Sequence, residues 1–229
     1  MTPRVVVLAG PSGGGKTTIA RELVRRWPEA FCYSVSATTR RPRAGERDGE
    51  AYHFLTREEF ARRAAAGAFL EWAEYAGERY GTLRAEVERG LAAGRHVLLD
   101  IEVQGARQVR AAYPPPASVG IFLVPPSPQA LVERLRARGT ESPAALRERL
   151  LIAVGEVEAA VRGLEDARVF DTVVVNDRLD AAVTDVRATV DRPDPDARRA
   201  REAMAWLAAF GRELALAADR LAPSAQRST

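Results

Sequence analysis

The segment Gly10-Pro11-Ser12-Gly13-Gly14-Gly15-Lys16-Thr17 fits G-x-x-x-x-G-K-[ST] without a gap. It constrains the fold through its flanks. Residues 4–9 form a short β-branched run of buried-strand type, and residues 19–26 read as an amphipathic helix. Strand, glycine loop and helix in that order are what a phosphate-binding P-loop requires. The glycines let backbone N–H groups turn toward phosphates, and the helix N-terminus adds the positive end of its dipole. Lys16 is the single lysine among 34 basic residues, a compact point charge suited to β- and γ-phosphates where the planar fork of arginine fits poorly. The Thr17 hydroxyl is placed to ligate Mg²⁺, and Thr18 follows it into the helix.

A second apolar run, His96-Val97-Leu98-Leu99-Asp100, ends in an acid, the Walker B pattern, with Asp100 at the carboxyl end of a strand and a second metal-site residue acting through water. Further buried-strand runs fall at 118–124 and 172–175, with helices predicted over 104–112, 128–138 and 179–190. Such alternation predicts an α/β fold, a P-loop NTPase-like parallel sheet flanked by helices.

Composition narrows the function. In 229 residues, 46% apolar and 28% charged residues are ordinary for a globular chain. One cysteine, Cys32, excludes a disulfide framework, and two scattered histidines exclude a zinc site. The net charge is only +3, with acids interspersed among the arginines, which does not describe a nucleic-acid surface. No apolar run approaches the roughly 20 residues that span a bilayer. The expectation is a soluble, cytoplasmic chain with neither membrane nor nucleic-acid partners.

The stretch between the P-loop helix and the Walker B strand departs from the alternation. It contains Ser34-Val35-Ser36-Ala37-Thr38-Thr39-Arg40-Arg41-Pro42-Arg43-Ala44-Gly45-Glu46, then Tyr52-His53-Phe54, Phe69-Leu70-Glu71-Trp72 and Tyr80-Gly81-Thr82, and beyond the strand Asp100-Ile101-Glu102-Val103-Gln104-Gly105. From about residue 4 to about residue 190 the chain resembles the guanylate kinase family, which carries S-x-S-x-T-T-R-x-P-R-x-G-E, Y-x-F, F-[IL]-E-W, Y-G-[ST] and L-[DE]-[IV]-D-x-Q-G in this order behind its P-loop.

The resemblance implies ATP and GMP as substrates and Mg²⁺ as cofactor. It gives Glu71 the guanine N1–H and N2–H₂ donors, Thr82 the guanine O6, Ser36 the base edge, and Arg40, Arg43, Tyr52 and Tyr80 the GMP phosphate. Asp100 and Glu102 complete the GMP side; Glu102 stands where the family usually has Asp, keeping the charge but lengthening its reach. A family lid matches at R-L-x-x-R-G-T-[ED] and a later R-L, which assigns Arg134, Arg138 and Arg149 to the transferring phosphoryl group, with a hinge between Gly139 and Ser142-Pro143. Asn176 matches a position that contacts the donor adenine. The implied organisation is a kinase domain over 1–192, with core 1–35 and 95–192, a mixed α+β GMP-binding insertion over about 36–94 and a helical lid over about 134–163. Deoxy-GMP is expected as a further acceptor.

Residues 193–229 lie outside the resemblance. Their apolar stripe, Ala203, Leu207, Phe210, Leu214, Ala217 and Leu221, predicts a helix over 197–221 with Gly211 off the stripe and a disordered end. That stripe can dock on the chain's own core, giving a monomer, or on another subunit, giving a homo-oligomer. Two other functions compete. A non-catalytic, peptide-binding guanylate-kinase-like module typically loses the P-loop lysine and lid arginines retained here, and a P-loop kinase for another small phosphate ester has no need of Glu71 and Thr82.

Overall fold

The computed structural model describes residues 2–75, 77–137, 142–165, 169–192 and 197–222. Arg138, Gly139, the break at 193–196 and the expected disordered end beyond residue 222 lie outside them. The first strand, β1 (Val5–Ala9), is buried throughout. Val5, Val7 and Ala9 join one apolar cluster while Val6 and Leu8 join another, the alternation a strand imposes. A strand buried on both faces needs helices on both.

The chain supplies them as α1 (Lys16–Arg26), β2 (Phe31–Tyr33), β3 (Ala37–Thr38), β4 (His53–Phe54), α2 (Arg57–Ala65), β5 (Phe69–Tyr75), β6 (Glu78–Leu83), α3 (Arg84–Ala92), β7 (His96–Asp100), α4 (Val103–Ala112), β8 (Ser118–Val124), α5 (Pro128–Arg136), α6 (Pro143–Glu165), β9 (Thr172–Val175), α7 (Leu179–Asp191) and α8 (Ala197–Asp219). The main sheet has the order β2-β7-β1-β8-β9, with every pairing parallel. One face packs Ile19 and Leu23 of α1 and Val183 and Val186 of α7. The other packs side chains of α4, α5, α6 and α8. Because β1 and β7 are parallel neighbours with Leu8 paired to Asp100, the glycine loop leaving β1 and the acid ending β7 emerge at one edge. That crevice beyond the strand ends is where open α/β sheets bind ligands.

Sequence expectations shift at helix ends, α8 among them, which stops at Asp219 and not residue 221. The first helix begins at Lys16, not residue 19, because Gly15 in the left-handed region (φ +97°) turns the chain directly into it. Helix α5 ends at Arg136, two residues short of the expected end. The interrupting segment forms a second, mixed sheet of order β4-β3-β6-β5, whose small core of Ala37, Phe60 and Phe69 includes Phe60 and Phe69 rings stacked at 4.4 Å. Among the described residues no helix is long and apolar enough to cross a membrane.

The C-terminal stripe docks on the chain's own core. Leu207, Phe210, Leu214 and Ala218 of α8 are buried with Leu150, Ala153 and Val157 of α6. Gly211 does not lie off that stripe as the heptad reading predicts. It is buried, and a Cβ there would sit 3.0 Å from Val157 Cγ1. The physical reason is helical drift: a straight helix turns every 3.6 residues, so over several turns the contact line leaves a 3.5-residue heptad and passes through Gly211 and Ala218 instead of Ala217. Truncating Phe210 to Ala leaves a cavity between α8 and α6 and is expected to lower stability by about 3 kcal/mol, read as a lower urea midpoint with an unchanged denaturant slope.

Candidate active site

The P-loop is held by its carbonyl oxygens. Lys16 Nζ donates to Gly10 O at 2.7 Å and to Pro11 O at 3.5 Å. Arg134 donates to Gly13 O at 3.4 Å and to Asn176 O at 2.8 Å, and the buried Asn176 side-chain amide donates to Gly14 O at 2.9 Å. A Cβ on Gly15 would fall 2.1 Å from that amide nitrogen, so glycine is required there for the close approach as well as for the positive φ. Gly14 N–H donates within the loop to Pro11 O at 2.8 Å, and with these carbonyls taken up the loop's remaining N–H groups are left for an anion. Thr17 donates its hydroxyl to Asp100, and Lys16 Nζ stands 3.9 Å from the same carboxylate.

A cavity of about 260 Å³ opens from this loop toward the second sheet, lined at one end by Ser12, Gly13, Gly15, Lys16, Thr17 and Asp100. Arg40, Arg43, Tyr52 and Tyr80 line it as well. Arg40 is clamped by Glu46, whose two oxygens accept from one guanidinium nitrogen at 2.9 and 3.0 Å, while Glu46 also accepts from the Arg43 backbone N–H at 2.8 Å. These bonds hold the Glu46 carboxyl below the usual range. The Arg40 guanidinium lies 5.4 Å from the Tyr52 ring centroid, and the Tyr52 and Tyr80 rings meet edge-on at 5.9 Å. The result is a rigid, cationic and hydroxyl-bearing wall, the chemistry of a phosphate dianion site.

The lining also carries carboxyls. Glu71, on β5, is only 5% exposed and accepts the Thr82 hydroxyl from neighbouring β6 at 2.6 Å. Burial pushes its carboxyl up to about 7, with the Thr82 bonds opposing and the charge of Glu102 adding to the rise. A Cβ on Gly105 would lie 2.4 Å from Glu71 Oε2, so the start of α4 is cut away to seat this carboxylate. Glu102 is raised by burial and by Asp100, with Lys16 opposing. Glu156, on α6, also lines the cavity; burial lifts it to about 8, against the pull of Lys16 and reinforced by Glu102.

The structure thus gathers into one cavity the sequence-predicted Ser12, Gly13, Gly15, Lys16, Thr17, Ser36, Arg40, Arg43, Tyr52, Glu71, Tyr80, Asp100 and Glu102. Gly10, Pro11 and Gly14 shape the loop behind that lining, and Thr82 reaches the cavity through Glu71. Thr18 is exposed on α1. Arg149 is on α6 and is not part of the lining. Sequence reasoning missed Glu46, Gly105 and Glu156. Glu46 had a signal, an acid six residues after Arg40 in a turn-forming segment; Glu156 reads as ordinary helix charge beside Glu158.

A P-loop at the end of β1, an acid at the end of the adjacent strand and an inserted sheet facing them with arginines, tyrosines and a buried carboxylate define a P-loop phosphotransferase with a dedicated acceptor site. The family model described as guanylate kinase matches residues 2–192. The guanylate kinase of Anaeromyxobacter dehalogenans is 47% identical over 207 residues, covering 87% of this chain and 88% of that protein. That of Synechococcus elongatus is 49% identical over 187 residues, covering 82% and 97%. A crystal structure of guanylate kinase from Anaplasma phagocytophilum superposes with a TM-score of 0.61 at 29% identity, covering 86% and 89% of the two chains. The chain belongs to the guanylate kinase family, and its reaction is the ATP-dependent phosphorylation of GMP.

Glu71 gives this site a pH dependence of definite sign. Guanine presents N–H donors, so the ionised carboxylate is the binding form, and below about pH 7 the proton on Glu71 competes. GMP affinity measured calorimetrically is expected to fall between pH 8 and pH 6, by at most about tenfold per pH unit below 7. Glu71→Gln should bind weakly and lose that component, leaving only the titration of the GMP phosphate.

Proposed function

We propose that the cavity binds GMP with its base at Glu71 and its phosphate at Arg40, Arg43, Tyr52 and Tyr80, facing ATP held on the P-loop. The observation that carries this reading is the buried Glu71 carboxylate, seated by Thr82 and by the missing side chain of Gly105. A carboxylate takes two adjacent N–H donors side by side, a pair adenine does not offer. Buried groups left unpaired by a wrong base discriminate by about 10⁴-fold or more. Thr82 has one hydroxyl hydrogen, given to Glu71, so Ser36 or a rotated Thr82 meets guanine O6, and Glu102 supports the base edge.

On the donor side the Gly10–Thr17 loop cradles the ATP phosphates and Lys16 neutralises them. Asn176, besides bracing Gly14, borders the adenine side. Thr17 and Asp100 place two hard oxygen groups against each other at the loop, a donor set that fits Mg²⁺; Thr17 would hold the ion directly and Asp100 through water. When bound, Mg²⁺ supplies charge neutralisation across the β- and γ-phosphates. A GMP phosphate oxygen attacks the γ-phosphorus in line, and the bond to the ADP oxygen breaks without an enzyme nucleophile. Catalysis therefore rests on alignment and on guanidinium charge around a loose, metaphosphate-like transition state. Arg134 already rests on the P-loop; Arg138 and Arg149 are assigned to the same charge as the lid over 134–163 closes on the insertion over 36–94 and excludes water. Deoxy-GMP fits as a second acceptor, and the nucleotide substrates and free Cys32 fit a cytoplasmic setting. The α8 face is used within the chain, which favours a monomer.

A coupled ADP-release assay with ATP and GMP, AMP, CMP or UMP tests the assignment. Selective turnover of GMP is expected, with Glu71→Ala losing about 10³-fold or more in kcat/KM for GMP. Removing the P-loop cation in Lys16→Ala should cost at least about 10²-fold in kcat. Non-selective turnover, or Glu71→Ala with full GMP activity, would overturn the base site.

A further inference from the structure

Glu156 is the cavity carboxyl with no assigned task. It projects from α6, two helical turns beyond Arg149, into the same 260 Å³ space as Lys16, Glu102 and Gly105. Among the described residues it has neither a hydrogen-bond nor an ion-pair partner. Glu156 is partly buried against the cavity, where a ligand hydroxyl can replace water as the partner of its carboxyl.

The acceptor nucleotide has three parts. Its phosphate belongs with the cations Arg40 and Arg43 that line the cavity. The guanine donors are met by Glu71, whose electrostatic neighbour is Glu102; Glu156 lies beyond, sensed by Glu102 and Lys16. With Glu102 taking the remaining guanine N2–H, the donors left on the acceptor are the hydroxyls of the ribose, which lies between base and phosphate. The donor adenosine, in contrast, belongs on the outer side of the P-loop near Asn176, which is not part of this lining. We propose that Glu156 is a specificity-determining residue that accepts a hydrogen bond from the 2′-hydroxyl of the acceptor ribose, so that the site prefers GMP over dGMP while still admitting both. The proposal rests on the orientation of GMP given above.

The test is a comparison of substrates across variants. In the unmodified protein, kcat/KM for GMP should exceed that for dGMP by about tenfold, the size of one buried hydrogen bond to a polar or charged group. Glu156→Ala should bring the GMP-to-dGMP ratio close to one, with the loss falling mainly in KM. Glu156→Gln, whose amide oxygen still accepts, should keep most of the ratio. The ATP-to-dATP ratio should stay constant across all three proteins. Equal efficiency for GMP and dGMP in the unmodified protein would overturn the proposal even if no variant folds. So would a Glu156→Ala protein in which both acceptors fall together, or one in which the ATP-to-dATP ratio shifts instead. Phosphorylation of AMP in the same assay as readily as GMP would sink the guanine reading itself, an outcome separate from any change in the ribose ratio.

Discussion

The structure depends on how the P-loop's carbonyl groups are tied down. A glycine-rich loop has many conformations, and an anion site needs one. Here the carbonyls of Gly10, Pro11, Gly13 and Gly14 accept from Lys16, Arg134 and Asn176, side chains delivered by the first helix, by α5 and by the end of β9. Fixing the oxygens of Pro11, Gly13 and Gly14 fixes the N–H groups of Ser12, Gly14 and Gly15 on the opposite side of each peptide plane, while Gly10, followed by Pro11, has none to aim, so dipole orientation is settled before any phosphate arrives. The parallel sheet earns its place in the mechanism by bringing β1, β7 and β9 to a common edge.

The cavity beside that loop carries both signs of charge, the cations Lys16, Arg40 and Arg43 and the carboxyls of Glu71, Asp100, Glu102 and Glu156. A nucleoside monophosphate has a complementary make-up, an anionic phosphate and a base rich in N–H donors, which is the basis of the orientation proposed for GMP. The carboxyls are costly to build: burial raises Glu71, Glu102 and Glu156 together. The cost is tolerated because the same low-dielectric surroundings make an unmatched partner expensive, which is the origin of selectivity.

Much of this was legible in the sequence. The P-loop, the acid ending β7 and the buried strands are local patterns, each enforced by short-range stereochemistry, and they stand where the sequence put them. What escaped is what depends on two distant segments meeting. Gly105 reads as an ordinary helix glycine until Glu71 arrives from β5 against it. Glu156 and Glu158 are indistinguishable in a helix that is apolar on several sides, and only the position of α6 over the cavity selects one. The heptad reading of α8 erred by a residue at Ala218 and left out Gly211 because a straight helix drifts off the 3.5-residue period along its contact with α6. Helix ends shifted as well: Gly15 is positioned by Asn176, 161 residues away in the chain, as much as by its neighbours.

The docking of α8 has a consequence for the order in which the protein can be made. Leu150, Ala153 and Val157 of α6 are synthesised well before Leu207, Phe210 and Leu214, the side chains that cover them. During translation, every strand of the main sheet can already be paired while one apolar flank still faces water. Nascent chains carrying such a flank are the species that chaperones bind and that aggregate when synthesis stalls. Until α8 has been made and docked, that flank of α6 stays open to such contacts.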